Sequence, residues 1–60
     1  MTELYENDTR SAILEPQITG DFMVSFHDKN TSDTQYETFH TLEKAELAAK
    51  RWLEHTYVPL

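Results

Sequence analysis

The segment from Thr41 to His55 carries the one clear helical period in this chain, and it constrains what the rest can form. Small and apolar side chains recur in it at three- and four-residue spacing, while its charged side chains fall outside the centre of that stripe. The hydroxyl of Thr41 can accept from the free N–H groups of a first turn, which predicts a helix start there. The stripe expected to face a core consists of Leu42, Ala45, Ala49, Trp52 and Leu53.

Two features of this helix stay open. Leu47 points away from the stripe, which fits either a single exposed leucine or a contact with a partner. No Gly follows the last turn, and β-branched Thr56 and then Pro59 discourage continuation, so the helix is expected to end gradually. The tail 57–60 is apolar enough to fold back over the core.

The chain before Gly20 is harder to interpret. Residues 1–10 are mostly polar and are expected to form a flexible N-terminal arm, with a short packed strand or helical turn as the alternative. Residues 12–14 and 18 are aliphatic, but Pro16 lacks a ladder donor, so this run is expected to form a strand at a sheet edge or to be broken into two short pieces. Gly20 accepts positive φ without steric cost and predicts a turn at residues 19–21.

Two further strands follow, joined by a polar loop. Residues 22–27 alternate and form the clearest strand, and 28–33 are turn formers that predict a hairpin loop. In the returning strand, 34–40, Tyr36 and Phe39 are three positions apart, so their side chains are expected on opposite faces of the sheet. Phe39 is expected to face the helix and Tyr36 the far side or the rim. The side chains expected to share the core face of the first of these strands are Phe22, Val24 and Phe26.

These elements predict an α+β fold: a small antiparallel three-stranded sheet with one C-terminal helix packed across one face (βββα), formed by a single domain over residues 11–60. Nothing in the sequence is left to cover the other face of the sheet. An uncovered, half-apolar face on a small chain suggests a partner or a second copy. The residues predicted to bind a partner are Met23, Ser25, His27, Tyr36 and Leu47.

Charge and cysteine content narrow the function classes. The chain has 60 residues, no Cys, and 11 acidic against 5 basic side chains, a net charge of −6. The absence of Cys excludes disulfides and thiolate chemistry and favours a reducing compartment. No apolar run approaches the roughly 20 residues of a membrane span, and the acidic N-terminus is unlike a signal peptide. A cytoplasmic protein is expected, whose charge favours protein partners with a basic or mixed surface over nucleic acid or membrane.

Metal binding and catalysis are not expected. The loop 28–33 opens with the alternate oxygen ligands of an EF-hand, but Asp33 stands where that loop needs Gly and Phe39 where it needs Glu. Of the three histidines, His40 and His55 flank a helix about 20 Å long, so all three cannot share one ion. No nucleophile elbow or phosphate loop is present, and so short a chain leaves little material for a pocket of about 300 Å³. We expect no enzyme, cofactor or metal.

Two resemblances arise at the junction from Phe39 to Glu46, FHTLEKAE. A strand that ends in Phe-x-Thr and leads into x-x-x-Ala-Glu resembles the arm-binding N-terminal domains of tyrosine integrases and their AP2-like relatives. That resemblance covers roughly residues 22–55 and implies three strands, one helix and DNA binding through the sheet. Those domains carry Arg, Lys and aromatic residues on the exposed sheet face, whereas this chain offers Met23, Ser25 and His27.

The second resemblance is to the small RNA-polymerase inhibitors of T7-like phages, which have similar length and strands before a helix. Thr41, Leu42, Ala45 and Ala49 match the helix spacing of those inhibitors, and the segment 57–59, Tyr-Val-Pro, is similar to the segment after their helix, displaced by four residues. No polymerase-contacting position is matched. This resemblance implies a phage-encoded or accessory protein that binds a large host machine.

Three functions are therefore compared. The first is a non-catalytic protein-interaction module that modulates a larger host protein through the open sheet face and the acidic loops. The second is a sheet-face DNA-binding module of the integrase-arm or AP2-like type. The third is a self-associating subunit that forms a homodimer.

Overall fold

The computed structural model describes residues 2–59 and has an antiparallel sheet with one helix packed across one face, which confirms that part of the predicted fold. The strands lie in the order β1-β2-β3-β4, so each pairs with its neighbour in sequence. Met1 and Leu60, the outer ends of the predicted arm and tail, lie outside the described residues. The elements are β1 (Glu3–Glu6), β2 (Arg10–Pro16), β3 (Phe22–Asp28), β4 (Thr34–Phe39) and α1 (Leu42–Leu53).

The prediction of three strands was wrong, because the sheet has four. The additional strand, β1, lies in the segment 1–10, where the structure shows the alternative of a short packed strand. It pairs with β2 from Glu3 opposite Leu14 to Glu6 opposite Ser11. This strand was hard to recognise because four residues give each face only one apolar side chain.

The prediction that the Pro16 strand lies at an edge was also wrong, because β2 lies between β1 and β3. The backbone N–H of Gln17 donates to the Asp21 carbonyl, at 2.8 Å, on the β3 side. Since N–H directions alternate along a strand, the nitrogen of Pro16 points to the β1 side. Within residues 2–59 the pairing with β1 ends at Leu14, so no ladder bond to a described residue is lost at Pro16.

Both predicted turns are present. The backbone N–H of Gly20 donates to the Gln17 carbonyl at 3.0 Å, and Gly20 has φ +95°, the conformation for which glycine is suited. In the loop between β3 and β4, the Asp28 carboxylate accepts from the backbone N–H of Asn30 at 2.9 Å. The loop covers residues 29–33, one fewer than predicted because Asp28 still belongs to β3, and it returns β4 beside β3.

The helix start is confirmed, and the helix end is sharper than predicted. Thr41 has extended backbone angles, and its hydroxyl accepts from the Lys44 N–H at 3.2 Å. After the last turn, His55 has φ +63°, and the Thr56 N–H donates to the Arg51 carbonyl at 2.9 Å. This is the bonding of a Schellman cap, with a histidine at the left-handed position that glycine usually fills.

The core lies between α1 and the two central strands. On the helix, burial of Ala45, Ala49 and Trp52 is as predicted, but Leu42 is 41% exposed and Ala48 is buried. Leu42 is the first helical residue, and the core-facing stripe follows the alanines instead. Small side chains allow the helix to approach the sheet closely. The fully or nearly buried residues are Ala12, Leu14, Val24, Phe26, Ala45, Ala48, Ala49 and Trp52.

Trp52 fastens the last turn of the helix to the sheet. Its indole N–H points to two backbone carbonyls, those of Ser11 in β2 at 3.0 Å and His27 in β3 at 3.3 Å. Its ring packs edge-on against Phe26, with centroids 5.4 Å apart. One side chain thereby joins α1 to both central strands.

Arg10 adds to this contact from β2. Its guanidinium lies 4.0 Å from the centroid of the Trp52 ring, and Nη1 donates to the Trp52 carbonyl at 3.1 Å. That carbonyl belongs to the last helical turn, where a cation is favourable. The Asn7 side chain, in the β1–β2 turn, donates to the neighbouring Leu53 carbonyl at 3.0 Å. The N-terminal hairpin therefore caps the helix end.

We predict that Trp52→Phe lowers the free energy of unfolding by about 1–3 kcal/mol, because the shared indole hydrogen bond and part of the ring volume are lost. Urea denaturation followed by circular dichroism measures the change. Lys50→Ala, on the exposed side of the same helix, is the matched control and should shift stability by less than about 0.5 kcal/mol. Equal stability of the Trp52→Phe protein and the wild type would contradict the anchoring role of the indole.

Candidate functional site: the open sheet face

The face of the sheet turned away from α1 is the candidate site, and we call it the open face. Side chains alternate along each strand, so the residues that pair with one another across the sheet share a face. Because Val24, Phe26 and Leu14 face the helix, their sequence neighbours face the other way. The open face consists of Leu4, Glu6, Ser11, Ile13, Glu15, Met23, Ser25, His27, Thr34, Tyr36 and Thr38.

An apolar row crosses the middle of the open face. Leu4 lies opposite Ile13, Ile13 opposite Ser25, and Ser25 opposite Tyr36. Leu4 and Tyr36 are each 62% exposed, and Ile13 is 38% exposed. Met23 is half-buried and lies diagonally next to the row. Ser25, at the centre of the row, is the small residue between Ile13 and Tyr36.

Polar groups border this row on both sides. Toward the β3–β4 loop, His27 Nδ1 lies 2.8 Å from the Thr34 hydroxyl, and the Glu6 carboxylate lies 2.9 Å from Lys29 Nζ. On the opposite border stands the exposed Glu15, which has no ion pair in the described part of the chain. The strand positions of this face supply two carboxylates and neither Lys nor Arg.

The structure brings together four of the five residues predicted to bind a partner. Met23, Ser25, His27 and Tyr36 share the open face, and Tyr36 points away from the helix as expected. Leu47 does not join them, because it lies on α1 on the other side of the sheet, 49% exposed.

Sequence reasoning missed Leu4 and Ile13, the other two members of the apolar row. Leu4 lies in the segment predicted to be a flexible arm. Ile13 lies in a predicted strand, but the sheet face of its side chain was not predicted. The alternation of Ile13 with Ala12 and Leu14 was a usable signal, since two buried neighbours imply an outward Ile13. The register of Leu4 against Ile13 carried no signal in the sequence.

Within residues 2–59, no three His, Asp or Glu side chains converge on a point where a metal ion could be held. No helix in that range has both the length and the apolar character needed to cross a membrane. The histidines instead make local contacts: His40 Nδ1 lies 3.1 Å from the Asp21 carboxylate, and His55 Nε2 lies 3.2 Å from the Thr9 hydroxyl. The arrangement of the open face is suited to contact with another surface.

Comparison of the chain with protein-family models, with curated proteins and with solved structures gives no match. The two resemblances at the strand-to-helix junction therefore stay predictions, and the candidate site is argued from its own geometry.

We predict that replacing the open-face aromatic, by Tyr36→Thr, changes the free energy of unfolding by less than about 1 kcal/mol, because Thr keeps β-propensity and little buried surface is lost. Leu14→Ala, on the helix-facing side, should cost about 2–5 kcal/mol. Chemical denaturation of both variants provides the comparison. A loss from Tyr36→Thr as large as that from Leu14→Ala would mean that the open face is part of a core.

Proposed function

We propose that this protein is a non-catalytic interaction module whose open face docks on a larger protein. The observation that carries this proposal is the row of exposed apolar side chains, Leu4, Ile13 and Tyr36, across a sheet whose other face is already filled by the helix. Exposed aliphatic and aromatic groups placed together on a rigid surface favour association with another protein. The four-stranded sheet holds them in fixed positions, so little conformational entropy is lost on docking.

The charge of the face supports a partner with a basic or mixed surface. Glu6 and Glu15 border the apolar row, and the chain as a whole has a net charge of −6. An acidic rim accelerates encounter with a cationic surface and disfavours the docking of an anionic surface on the open face. Basic side chains that approach Glu15, which has no ion pair among the described residues, would find an available acceptor.

A heterologous partner is favoured over a second copy and over DNA. A second copy brings the same exposed Glu15 and no Lys or Arg at its strand positions to meet it, and Lys29 beside this face is already paired with Glu6, so little opposite charge is available to a symmetric interface. DNA binding by the integrase-arm mode needs cations that neutralise phosphates. Tyr36 is the one aromatic group on this face, with no cation beside it in the strands.

The role proposed for the module is that of a phage-encoded or accessory modulator of a host protein. The resemblance of the helix spacing to the small RNA-polymerase inhibitors of T7-like phages supports this, as does the small, acidic, Cys-free chain. A module that carries no chemistry of its own acts on its partner by occupying a surface.

We predict that a charge on the apolar row, introduced by Ile13→Glu, abolishes capture of a specific partner from a lysate of the source organism. A carboxylate buried in the interface would lose hydration without gaining a partner group. Wild-type and variant proteins are immobilised at equal density, and the captured proteins are quantified by mass spectrometry. Circular dichroism verifies that the variant is folded.

Ile18→Glu, in the turn between β2 and β3, is the control, since it adds the same charge at a fully exposed position outside the open face. A protein recovered by the wild type and by Ile18→Glu, absent with Ile13→Glu, and released by increasing salt would support the proposal. A partner retained by Ile13→Glu would contradict it, as would a salt-dependent retention of DNA in place of protein.

A further inference from the structure

A groove on the helix side of the sheet lies between α1 and β4 and has a volume of about 160 Å³. Its apolar walls come from β4, the helix and the tail after the helix, and two cations stand on the helix beside it. The volume is below the roughly 300 Å³ of a small-molecule site, and it fits one amino-acid side chain. The groove is lined by Phe39, Lys44, Leu47, Ala48, Arg51 and Tyr57.

The groove adjoins an unprotected sheet edge. The outer side of β4 makes no backbone hydrogen bond to any segment within 2–59. Edge strands are commonly protected by Lys, Pro, a bulge or shortness, and β4 has six residues with none of these features. The opposite edge, β1, has four residues, of which two are Glu. The two edges are therefore not equivalent, and β4 is the one able to accept another strand.

The register fixes which amides of β4 are free. The Asp28 N–H donates to the Asp33 carbonyl at 2.9 Å, which makes that pair a hydrogen-bonded one. Hydrogen-bonded and non-hydrogen-bonded pairs alternate in an antiparallel ladder, so the N–H groups of Gln35 and Glu37 point to β3. The N–H groups of Thr34, Tyr36 and Thr38 consequently point outward from the edge.

The helix runs antiparallel to β4 on the helix-facing side of the sheet. It starts just after Phe39, and Trp52 near its end reaches the His27 carbonyl, opposite the start of β4. Lys44 and Arg51 therefore stand at opposite ends of the groove, about 10 Å apart along the helix axis. Neither has a carboxylate within 4 Å in the described residues.

The nearest acidic group on the helix-facing side of β4 already has a partner. The Glu37 carboxylate accepts a hydrogen bond from the Tyr57 hydroxyl. Burial, together with this hydrogen bond and the Glu37 charge, raises the pKa of Tyr57 to about 12, so the hydroxyl stays protonated at neutral pH. The two cations beside the groove thus remain available to an incoming anionic group.

We propose that the β4 edge and this groove bind an extended acidic segment of a partner protein, which adds a fifth strand beside β4. An apolar side chain of the segment enters the groove, and acidic side chains two residues away on either side approach Lys44 and Arg51. In an extended chain those acidic residues are about 13 Å apart, which is comparable to the spacing of the two cations. Main-chain bonds provide affinity, and the groove provides specificity.

The test uses a synthetic peptide, acetyl-Thr-Glu-Thr-Leu-Thr-Glu-Thr-amide, whose Leu and two Glu side chains share one face when it is extended. Binding is followed by NMR titration of ¹⁵N-labelled protein, and amide hydrogen exchange is measured with and without peptide. The expected result is slower exchange at Thr34, Tyr36 and Thr38, with little change at Gln35 and Glu37. A peptide with Lys in place of Glu should bind at least about tenfold more weakly.

Protein variants separate this surface from the open face. Lys44→Ser combined with Arg51→Ser should weaken binding about tenfold, whereas Lys50→Ser, on the same helix outside the groove, should not. Ile13→Ser, on the open face, should leave peptide binding unchanged even if the open face proves to have no partner.

Three results would overturn the proposal. The first is the absence of binding at millimolar peptide, and the second is binding that leaves the three outward amides of β4 unaffected. The third is slower exchange of those amides with rising protein concentration in the absence of peptide, which would assign the edge to a second copy of this chain.

Discussion

The contact between Trp52 and the two central strands is the interaction on which the rest of the structure depends. The indole N–H serves the Ser11 and His27 carbonyls, the ring packs on Phe26, and the Arg10 guanidinium covers the ring. The buried Arg10 Nε has no hydrogen-bond partner among the described residues, and its nearest anion is Asp28 at 3.6 Å. The desolvated guanidinium is therefore held by its contacts with Trp52 and by the ion pair.

The position at which Trp52 anchors the helix decides which surfaces of the sheet remain exposed to a partner. One helix of 12 residues covers β2 and β3, and Tyr57 packs on Phe26 and Phe39 where the helix does not reach. Among the described residues, no element covers the opposite side of the sheet and no strand pairs with the outer edge of β4. Both surfaces follow from the four strands and single helix that residues 2–59 form. A domain this small buries only about 60% of its unfolded surface, so some exposed apolar groups are expected. A binding surface is therefore indicated by how these groups are arranged and not by their presence.

The sequence was sufficient for elements with a repeated physical signal. The alternation of Phe22, Val24 and Phe26 and the Thr41 cap predicted β3 and the helix start because each rests on local chemistry. The errors arose where a non-local contact decided the outcome. β1 is stabilised by its pairing with β2. Pro16 is tolerated because the pairs between the described residues of β1 and β2 end at Leu14. Both facts depend on strand register, which cannot be derived from the residues alone.

The residues of the candidate site were predictable where local alternation decides their position, and not where strand register does. The parity of β3 and β4 placed Met23, Ser25, His27 and Tyr36 on one face, because alternation is a local property. Leu4 and Ile13 were missed because their place in the row depends on strand register. His55 in the left-handed conformation was missed for another reason, since its cap is formed together with Asn7 and Arg10, which hold the neighbouring helix carbonyls.

The most direct test of the account is a set of proton–proton NOEs from the Trp52 indole N–H in solution. NOEs are expected from this proton to backbone protons around Ser11 and His27, and none from helix protons to the side chains of Ser25 or Tyr36. That result would place the helix on the Val24 and Phe26 side and leave the open face uncovered. NOEs between the helix and Ser25 or Tyr36, or no contact between the indole and β2 and β3, would contradict it.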